Sequence, residues 1–387
     1  MTTTKNNEHK NIKVPNKREQ NQTCLDSAER EGLRPKGNVP NLRFPEFQGE
    51  WISKTIGDIA PLQRGFDLPT GKICNGKIPV VYSNGIMNHH SSYKCVAPGL
   101  VTGRSGTIGK FTYIEDGYYW PHNTSLWVTD FHDNNPKFIY YLYQTIHIEQ
   151  YSTGSGVPTL NRNNVHRHKT FIPKLKEQNK IAAFLSLLDE RIATQSKIID
   201  KLQSLIKGIA QHCIRELING WEYVRLGDIC KITTGKLDAN AQVENGQYPF
   251  FTCAERPSNI DSYAFDTEAL LISGNGANLG YINYHKGKFN AYQRTYVLDH
   301  FSVNIQYVKW ALKVLLRQRI AIEKSSSNTP YIVLSTLADL KIPIPNNSKQ
   351  NQIADLMMSF ERKLSTQLAL SDLYNKQKQY LLRQMFI

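Results

Sequence analysis

Hydrophobic positions follow two patterns along the chain, and each pattern occurs twice. Short apolar runs such as Ile78–Tyr82, Phe111–Ile114 and Ser125–Val128 are separated by Gly, Asn and Asp, which is typical of β-strands joined by turns. Residues 136–146 and 305–320 predict one short helix behind each strand region. Each strand region then gives way to a stretch with no Pro and almost no Gly, in which apolar residues recur at helical spacing.

The first helical stretch has the repeat of a coiled coil. With Ile181 at heptad position a, the later a positions are Leu188, Gln195, Leu202 and Ile209. The d and e positions widen the apolar stripe with Phe184, Leu185, Ile192, Ile198, Ile199, Leu205 and Ile206. A stripe sustained in this way predicts one long helix that packs against a partner helix.

The second helical stretch repeats the pattern. Its a positions are Ile353, Phe360, Gln367, Tyr374 and Leu381, and its stripe is widened by Leu356, Met357, Leu364, Leu370 and Met385. Gln195 and Gln367 each stand near the middle of their helix, so an antiparallel pair would bring them to one level. We predict that they face each other as a buried polar layer that determines the register of the pair. The alternative is that both glutamines face solvent.

The whole chain is a tandem repeat with a shift of about 170 residues. Trp51–Ile59 aligns with Trp221–Ile229, Gly65 with Gly235, and Pro79 with Pro249. Small insertions then align Gly103, Gly109 and Tyr113 with Gly274, Gly280 and Tyr284, and Gln178–Ala182 with Gln350–Ala354. Five such anchors in register exceed what chance would supply.

These patterns predict an α+β fold of two tandem domains, with two long helices pairing as an antiparallel coiled coil in a pseudo-twofold repeat. A helix of about 36 residues is roughly 54 Å long, so the pair would hold the domains apart. The expected boundaries are a disordered tail at 1–40, a first domain at 41–175, a first helix at 176–218, a second domain at 219–347 and a second helix at 348–387.

Composition narrows the class of partner. The chain has 387 residues and a formal net charge of +14, and basic residues are in excess in both halves, which favours a polyanion such as nucleic acid. The sequence shows no secretory signal and no apolar run long enough to span a membrane. The six cysteines include no close pair. We therefore expect a cytoplasmic protein with reduced thiols.

Several motifs together resemble specificity subunits of type I restriction–modification enzymes. They are the leader Pro40-Asn-Leu-Arg-Phe-Pro-Glu-Phe47 with Trp51 and Gly57-Asp-Ile59, then Thr102-Gly-Arg-Ser-Gly-Thr-Ile-Gly109, Gly156-Val-Pro-Thr-Leu-Asn161, Ile172-Pro173 and Gln178-Asn-Lys-Ile-Ala-Ala-Phe-Leu185. The resemblance covers residues 40–387. The second repeat departs from the first, with Ser273-Gly-Asn-Gly-Ala-Asn278 replacing the loop at 102–107 and Ser325-Ser-Ser-Asn-Thr-Pro-Tyr331 replacing the segment at 154–159.

The resemblance implies a division of labour between subunits. Two target-recognition domains would each read half of a split duplex DNA sequence, and the two helices would dock two methyltransferase subunits. Restriction (motor–nuclease) subunits would complete the complex. The specificity subunit itself would be non-catalytic, and S-adenosylmethionine, ATP and Mg²⁺ would act on the partner subunits only, within an adenine-specific methyltransferase and ATP-dependent deoxyribonuclease complex.

Catalytic motifs of the chain's own are incomplete. The loop from Gly103 to Lys110 has five residues between its glycines and Phe111 after the lysine, so it lacks the P-loop spacing and the Mg²⁺ ligand. Asn135-Pro-Lys-Phe138 is similar to a methyltransferase motif but lacks the second Pro. The pairs His89/His90 and His166/His168 have no Cys or acidic partner at ligand spacing, so we expect solvated loop histidines and no metal.

DNA readers are predicted on Gly- and Ser-rich loops that recur in the repeat. Arg and Lys match guanine in the major groove, and Asn and Gln match adenine. The candidates are Arg64, Lys72, Arg104, Ser105, Lys110, His122, Asn123 and Arg162 in the first domain, and Lys236, Asn275, Asn278, Gln293, Arg294 and Lys324 in the second. For each of them an ordinary solvated role is the alternative.

The predicted function is sequence-specific recognition of duplex DNA that positions partner enzymes. A stand-alone DNA-binding regulator is the main alternative, because it would share the charge and the repeat. An enzyme acting on nucleotides and a scaffold whose charge serves solubility are further alternatives.

Overall fold

The computed structural model describes residues 37–154, 156–215, 220–324 and 331–387, without the side chains of 322–324. Most of the expected disordered tail, 1–36, lies outside the described residues. The described chain forms two compact units. The first comprises residues up to Ala193 together with Asp372–Ile387, and the second is Thr194–Ser371.

The described residues of the first unit form twelve short strands. They are β1 (Ile52–Thr55), β2 (Leu62–Arg64), β3 (Ile78–Tyr82), β4 (Gly85–His90), β5 (Cys95–Val96), β6 (Gly99–Gly103), β7 (Phe111–Ile114), β8 (Tyr118–Pro121), β9 (Ser125–Val128), β10 (Ser152–Thr153), β11 (Thr159–Leu160) and β12 (Lys169–Ile172). Two four-stranded sheets have the orders β2-β9-β6-β7 and β4-β3-β8-β5, and β1-β12 and β10-β11 form ribbons. The apolar runs predicted as strands coincide with β3, β7 and β9.

The second unit contains eight strands within its described residues. They are β13 (Glu222–Arg225), β14 (Lys231–Thr234), β15 (Tyr248–Phe251), β16 (Ser258–Ile260), β17 (Phe265–Ser273), β18 (Ile282–Ala291), β19 (Thr295–Asp299) and β20 (Lys341–Ile344). Six of them form one sheet in the order β14-β19-β17-β18-β15-β16, and β13 pairs with β20. Among the strands that the structure describes, β3 pairs with β8 and β15 with β18 in parallel, so this pairing recurs at equivalent places of the two units.

Helices complete both units. They are α1 (Ile56–Ile59), α2 (Pro136–Thr145), α3 (Arg162–His166), α4 (Leu175–Arg215), α5 (Leu226–Ile229), α6 (Ile305–Lys324), α7 (Leu334–Ala338) and α8 (Asn347–Met385). Among the described helices none is sufficiently long and apolar to cross a bilayer. The long helices begin close to the positions that heptad spacing predicts. The α+β class and the pair of long helices are confirmed.

The long helices pair antiparallel within each unit, although the buried seam is narrower than predicted. In the first unit Lys378 Nζ lies 2.6 Å from Asp189, and Arg191 Nε donates to Tyr374 Oη at 3.0 Å. Heptad positions a and e, such as Ile181 and Leu185, are buried. The d positions Phe184, Ile198 and Leu205 are 39–50 % exposed, because a two-helix seam covers only about two positions per heptad.

Gln195 and Gln367 meet as the heptad register predicts. Gln195 Nε2 donates to Gln367 Oε1 at 2.8 Å and to the Gln367 backbone oxygen at 3.0 Å. The Gln195 side chain is buried, whereas Gln367 is only half-buried. Since a buried amide needs partners for its polar atoms, this contact favours one register of the two helices over its neighbours.

In each unit, a glutamine at the equivalent position of the repeat joins a long helix to a shorter one. At the start of α4, Gln178 Oε1 accepts from the Asn135 N–H at 2.9 Å, and Asn135 Nδ2 donates to Asn179 at 2.8 Å. At the start of α8, Gln350 Oε1 accepts from the Asn304 N–H at 3.0 Å. The repeated Gln-Asn pair is therefore structural, since it satisfies the unpaired N–H at the beginning of α2 and α6.

The leader is tied to both ends of the first unit. The Trp51 N–H donates to the Asn38 oxygen at 2.8 Å, so residues 37–40 belong to the ordered leader and not to the expected tail. Arg43 forms a bidentate ion pair with buried Glu177 at 2.7 Å, and Trp51 Nε1 donates to the same carboxylate. The Phe44 ring lies edge-on to Phe184, with 5.8 Å between centroids.

The glutamine layer can be tested by replacing both residues with leucine. We expect Q195L/Q367L to raise the free energy of unfolding by about 1–2 kcal/mol, because a buried polar contact is exchanged for apolar packing. Loss of the layer should also weaken the preference for one register. Urea unfolding of the full chain measures the first effect, and disulfide trapping between engineered cysteines along α4 and α8 measures the second.

The exposed Gln203 on α4 provides the matched control, and Q203L should leave stability within about 0.5 kcal/mol. An unchanged midpoint and an unchanged trapping pattern in the double variant would show that the glutamine layer has no role in the register.

Candidate nucleic-acid interface

The glycine loop between β6 and β7 is a tight turn supported by its neighbours. Gly106 and Gly109 have φ of +76° and +82°, a conformation that side chains with a Cβ rarely adopt. The Arg104 N–H donates to Thr124 at 2.9 Å, and its carbonyl accepts from the Leu160 N–H at 2.7 Å. The loop is thus held between the segments that contain Thr124 and Leu160, and Ser105 forms a β-bridge with Thr159. We call this end of the first unit, around Arg104, the reading edge.

The β8–β9 turn brings more candidates to the reading edge. The His122 ring stacks at 4.2 Å on Tyr82, and its Nδ1 lies 3.0 Å from Thr124 Oγ1. Asn123 Nδ2 donates to Asp67 Oδ1, and Arg64 Nη2 lies 3.5 Å from the same oxygen. Gly65 is required beside this turn, since a Cβ there would lie 2.2 Å from the His122 carbonyl oxygen.

The three further candidates of the first unit are Lys110, Arg162 and Lys72. Lys110 Nζ donates to the Asn84 carbonyl at 2.9 Å in the β3–β4 turn, which adjoins Gly103. Arg162 opens α3, two residues after Leu160, and is exposed. Lys72 is exposed in the 3₁₀ turn Thr70–Lys72, and no described contact joins its side chain to the other candidates.

Burial controls the charge of His122. Desolvation lowers the pKa of His122 below its ordinary value, and the nearby Asp67 charge and a backbone contact at Leu68 oppose this only in part. The imidazole is therefore mainly neutral at pH 7, and the positive charge of the reading edge comes from arginine and lysine.

The second unit has an equivalent reading edge with different side chains. The Gly274 N–H donates to Arg294 at 2.8 Å, and the Gln293 N–H donates to Leu237 at 2.9 Å, next to Lys236. Asn278 Nδ2 donates to the Cys253 carbonyl at 3.0 Å. Asn275 lies half-buried beside Gly274. The Lys324 side chain lies outside the described residues, so its placement stays a prediction.

The predicted alignment of Gly103 with Gly274 in the internal repeat is wrong by one residue. Gly103 pairs with Ser125 across the sheet, but in the second unit Ser273, not Gly274, pairs with the equivalent Thr295. Gly274 instead makes the two backbone contacts that Arg104 makes, with Arg294 and Ile332. Matching glycine to glycine placed the insertion too early, because the difference in loop length between the units lies after Gly106.

The two units carry an arginine at different ends of this equivalent backbone hydrogen bond. In the first unit the guanidinium belongs to the residue that donates the backbone hydrogen bond, Arg104, and its acceptor is Thr124. In the second unit the donor is Gly274 and the acceptor is Arg294. The arginine thus stands on opposite sides of the same backbone contact in the two units.

Sequence reasoning missed two side chains of the first edge. Asp67 and Tyr82 contact Asn123 and His122 respectively, at separations of 56 and 40 residues along the chain. Local patterns carry no signal for such contacts, because they arise only when β3, β8 and the end of β2 assemble.

The expectation of solvated histidines is wrong for three of them. His90 is 7 % exposed and accepts from the Cys74 N–H, while His166 Nε2 accepts from the Leu62 N–H at 2.8 Å. His168 Nδ1 lies 2.7 Å from Tyr151 Oη. They serve as hydrogen-bond partners within the first unit. Among the described residues no cluster of His, Cys, Asp and Glu has the makings of a metal site.

Comparison with known proteins identifies the two units. A family model described as the type I restriction modification DNA specificity domain matches residues 48–204 and again 218–370. The chain belongs to the type I restriction–modification DNA specificity domain family. Both copies of the specificity domain include a reading edge and most of one long helix, so the match follows the internal repeat.

Individual specificity subunits resemble the chain to different extents. The EcoDI type I specificity subunit of Escherichia coli is 44 % identical over 135 residues, which is 35 % of this chain and 30 % of that relative. The MjaIX specificity subunit of Methanocaldococcus jannaschii is 23 % identical over 360 residues, 76 % of this chain and 83 % of the relative. The chain thus spans less than a third of one relative and most of the other.

Solved structures share the fold. The type I restriction–modification S subunit from M. genitalium has a TM-score of 0.66 at 18 % identity, with 90 % of this chain and 99 % of that chain covered. A chain from a study of complex assembly in the type I R-M system has a TM-score of 0.53 at 16 % identity, covering 87 % and 97 %. At these identities the likeness establishes the architecture of the specificity domains alone.

The histidine contacts predict a pH dependence of stability. Burial lowers the pKa of His166 and His168 from the ordinary 6.5, so the unfolded chain takes up protons more readily than the folded chain. Their contribution is therefore complete above pH 6.5 and is lost as the pH falls through the lowered pKa values. Urea unfolding between pH 7.5 and 5.5 should show this loss, and H166Q should reduce the slope.

The exposed His89 on β4 is the matched control, and H89Q should keep the wild-type slope. Equal slopes for wild type and H166Q would contradict a neutral, hydrogen-bonded His166.

Proposed function

We propose that the chain is the DNA sequence-recognition subunit of a type I restriction–modification complex. The observation that carries this proposal is the duplicated specificity domain, with one glycine-turn reading edge in each unit. The formal net charge of +14 supports a nucleic-acid partner, because phosphate contacts supply most of the non-specific affinity for duplex DNA.

Each reading edge offers side chains that match base edges. Arg104 and Asn123 in the first unit, and Arg294 and Gln293 in the second, are residue types that pair with guanine and adenine in the major groove. Because the arginines stand on opposite sides of the equivalent backbone contact, the two units read different sequences. The target is therefore a bipartite, asymmetric duplex sequence.

The chain contributes recognition and not chemistry. In this proposal S-adenosylmethionine, ATP and Mg²⁺ act on the methyltransferase and restriction subunits, and the specificity subunit presents DNA to them in the cytoplasm. The complex would methylate adenine at the recognised site and cleave unmodified DNA with ATP. Such a division agrees with the incomplete P-loop and methyltransferase motifs of the sequence.

The long helices offer a docking surface for two methyltransferase subunits. Apolar side chains outside the helix seam are exposed in both units: Phe184, Leu187, Leu373 and Tyr380 in the first, and Ile198, Leu205, Leu356 and Leu368 in the second. Exposed apolar side chains mark an interaction surface where they form a contiguous patch. Their occurrence in both units fits one methyltransferase for each specificity domain.

The function predicts a specific change in genomic DNA modification. We expect one bipartite motif of methylated adenines to disappear when this gene is deleted and to return on complementation. Single-molecule sequencing of modified bases measures it directly. The purified chain without partner subunits should show neither methylation nor cleavage when S-adenosylmethionine, ATP and Mg²⁺ are supplied.

An unchanged set of modified motifs, together with sequence-specific binding by the chain alone, would instead support a stand-alone regulator. Methylation by the isolated chain would contradict the non-catalytic role.

The docking surface predicts separable effects of helix variants. Leu187 and Leu373 are 65 % and 60 % exposed, so L187E/L373E should fold and bind non-specific DNA normally. The charges should abolish co-purification of the methyltransferase, because they would be buried without partners in the interface. Affinity co-purification after co-expression measures the loss, and L187M/L373M should keep the wild-type yield. Full retention of the methyltransferase by the glutamate variant would exclude this surface.

A further inference from the structure

The first reading edge contains an acidic side chain among its basic and amide readers. Asp67 follows β2 and is 72 % exposed, and its Oδ1 accepts from Asn123 Nδ2 in the β8–β9 turn. Arg64 Nη2 lies 3.5 Å from the same oxygen and is 52 % exposed. The carboxylate therefore contacts two of the predicted base readers at once.

A carboxylate at this place is unfavourable for simple DNA attraction. Phosphate repels it, and it offsets part of the Arg64 charge, so it lowers non-specific affinity. Its ion pair with Arg64 is exposed and adds little to folding stability. What Asp67 contributes is orientation of the side chains that it contacts.

The physical basis of that orientation is the chemistry of the two groups. An ionised carboxylate accepts hydrogen bonds and donates none, so only the Nδ2 end of the Asn123 amide can face it. The Oδ1 end is turned away, and one Nδ2 hydrogen stays available. An amide held in this way offers one acceptor and one donor in a defined order, which matches the N6 and N7 positions of adenine. Without the carboxylate, the amide could rotate by 180° and present the reverse order.

The second unit is built differently at the equivalent place. Gln293 occupies the turn position of Asn123, and no described hydrogen bond holds its side chain. Asp238, the acidic residue near the same strand end, accepts from the Asn240 N–H at 3.3 Å and so supports a 3₁₀ turn instead of a reader. Asp67 thus contacts a predicted reader, whereas the described hydrogen bond of Asp238 is to a backbone N–H.

We propose that Asp67 is a specificity-determining positioning residue, which orients the Asn123 amide so that the first unit discriminates an adenine at one base pair of its half-site. This inference rests on the proposed function, because it assumes that the reading edges contact DNA bases. It predicts that removal of the Asp67 charge strengthens non-specific binding and weakens discrimination, whereas loss of a structural residue would weaken both.

The experiment uses the full chain co-expressed with its methyltransferase subunits. Modified-base sequencing first defines the bipartite motif. Fluorescence anisotropy then compares a labelled 30-base-pair duplex containing this motif with duplexes changed at one base pair at a time and with a scrambled duplex. Wild type, D67N, N123A, the D67N/N123A double variant and the control D238N are measured at two salt concentrations.

We expect D67N to reduce discrimination about tenfold at one base pair of one half-site, and to bind the scrambled duplex more tightly than wild type. N123A should lose discrimination at the same base pair, and the double variant should lose no more than either single variant. D238N should also bind the scrambled duplex more tightly, with discrimination unchanged in both half-sites.

Three outcomes would overturn the proposal. The first is unchanged discrimination by D67N at every base pair, and the second is a loss spread over both half-sites with a lower melting temperature. The third is additive losses in D67N and N123A. Absence of discrimination by the wild-type complex would reject the proposed function itself, whereas a specific wild type with an unaffected D67N rejects the Asp67 inference alone.

Discussion

The antiparallel seam between α4 and α8 is the constraint on which both units depend. Each unit contains segments of both long helices: the first is completed by Asp372–Ile387 from the far end of the chain, whereas the second, Thr194–Ser371, is one continuous stretch. At the buried contact of Gln195 with Gln367 a register error would leave an amide without partners. Other seam positions are mostly apolar and would tolerate a shift more easily.

The repeated glutamines at the starts of α4 and α8 attach the long helices to the strand regions through hydrogen bonds. Gln178 and Gln350 each accept from the N–H of the asparagine that precedes a shorter helix, and each donates to a proline carbonyl just before the long helix. A side chain with both a donor and an acceptor is needed for this, which explains why the same residue type stands in both copies. The strand regions can then differ while their attachment stays the same.

That freedom is visible at the two reading edges. The backbone contacts of Arg104 and Gly274 are equivalent, but the side chains around them differ in charge and in partners. One edge has an amide held by Asp67, and the other has Arg294 and an unheld Gln293. A specificity domain can therefore keep its fold and its attachment to the helices while its base-contacting side chains change, which is what a family of subunits reading different sequences requires.

The repeat, the α+β class, the strand runs and the helix register follow from periodicities that neighbouring residues carry, so they are readable from the sequence alone. The loops that form the reading edges are also indicated, since glycine turns with a positive φ leave a local signature. Which apolar stripe is buried depends on long-range packing, because the d positions of the helices look the same until a partner covers a or e. The match of Arg104 with Gly274 and the contact of Asp67 with Asn123 depend on long-range packing as well. Those depend on strands that are far apart in the chain, and no local pattern encodes which of them become neighbours.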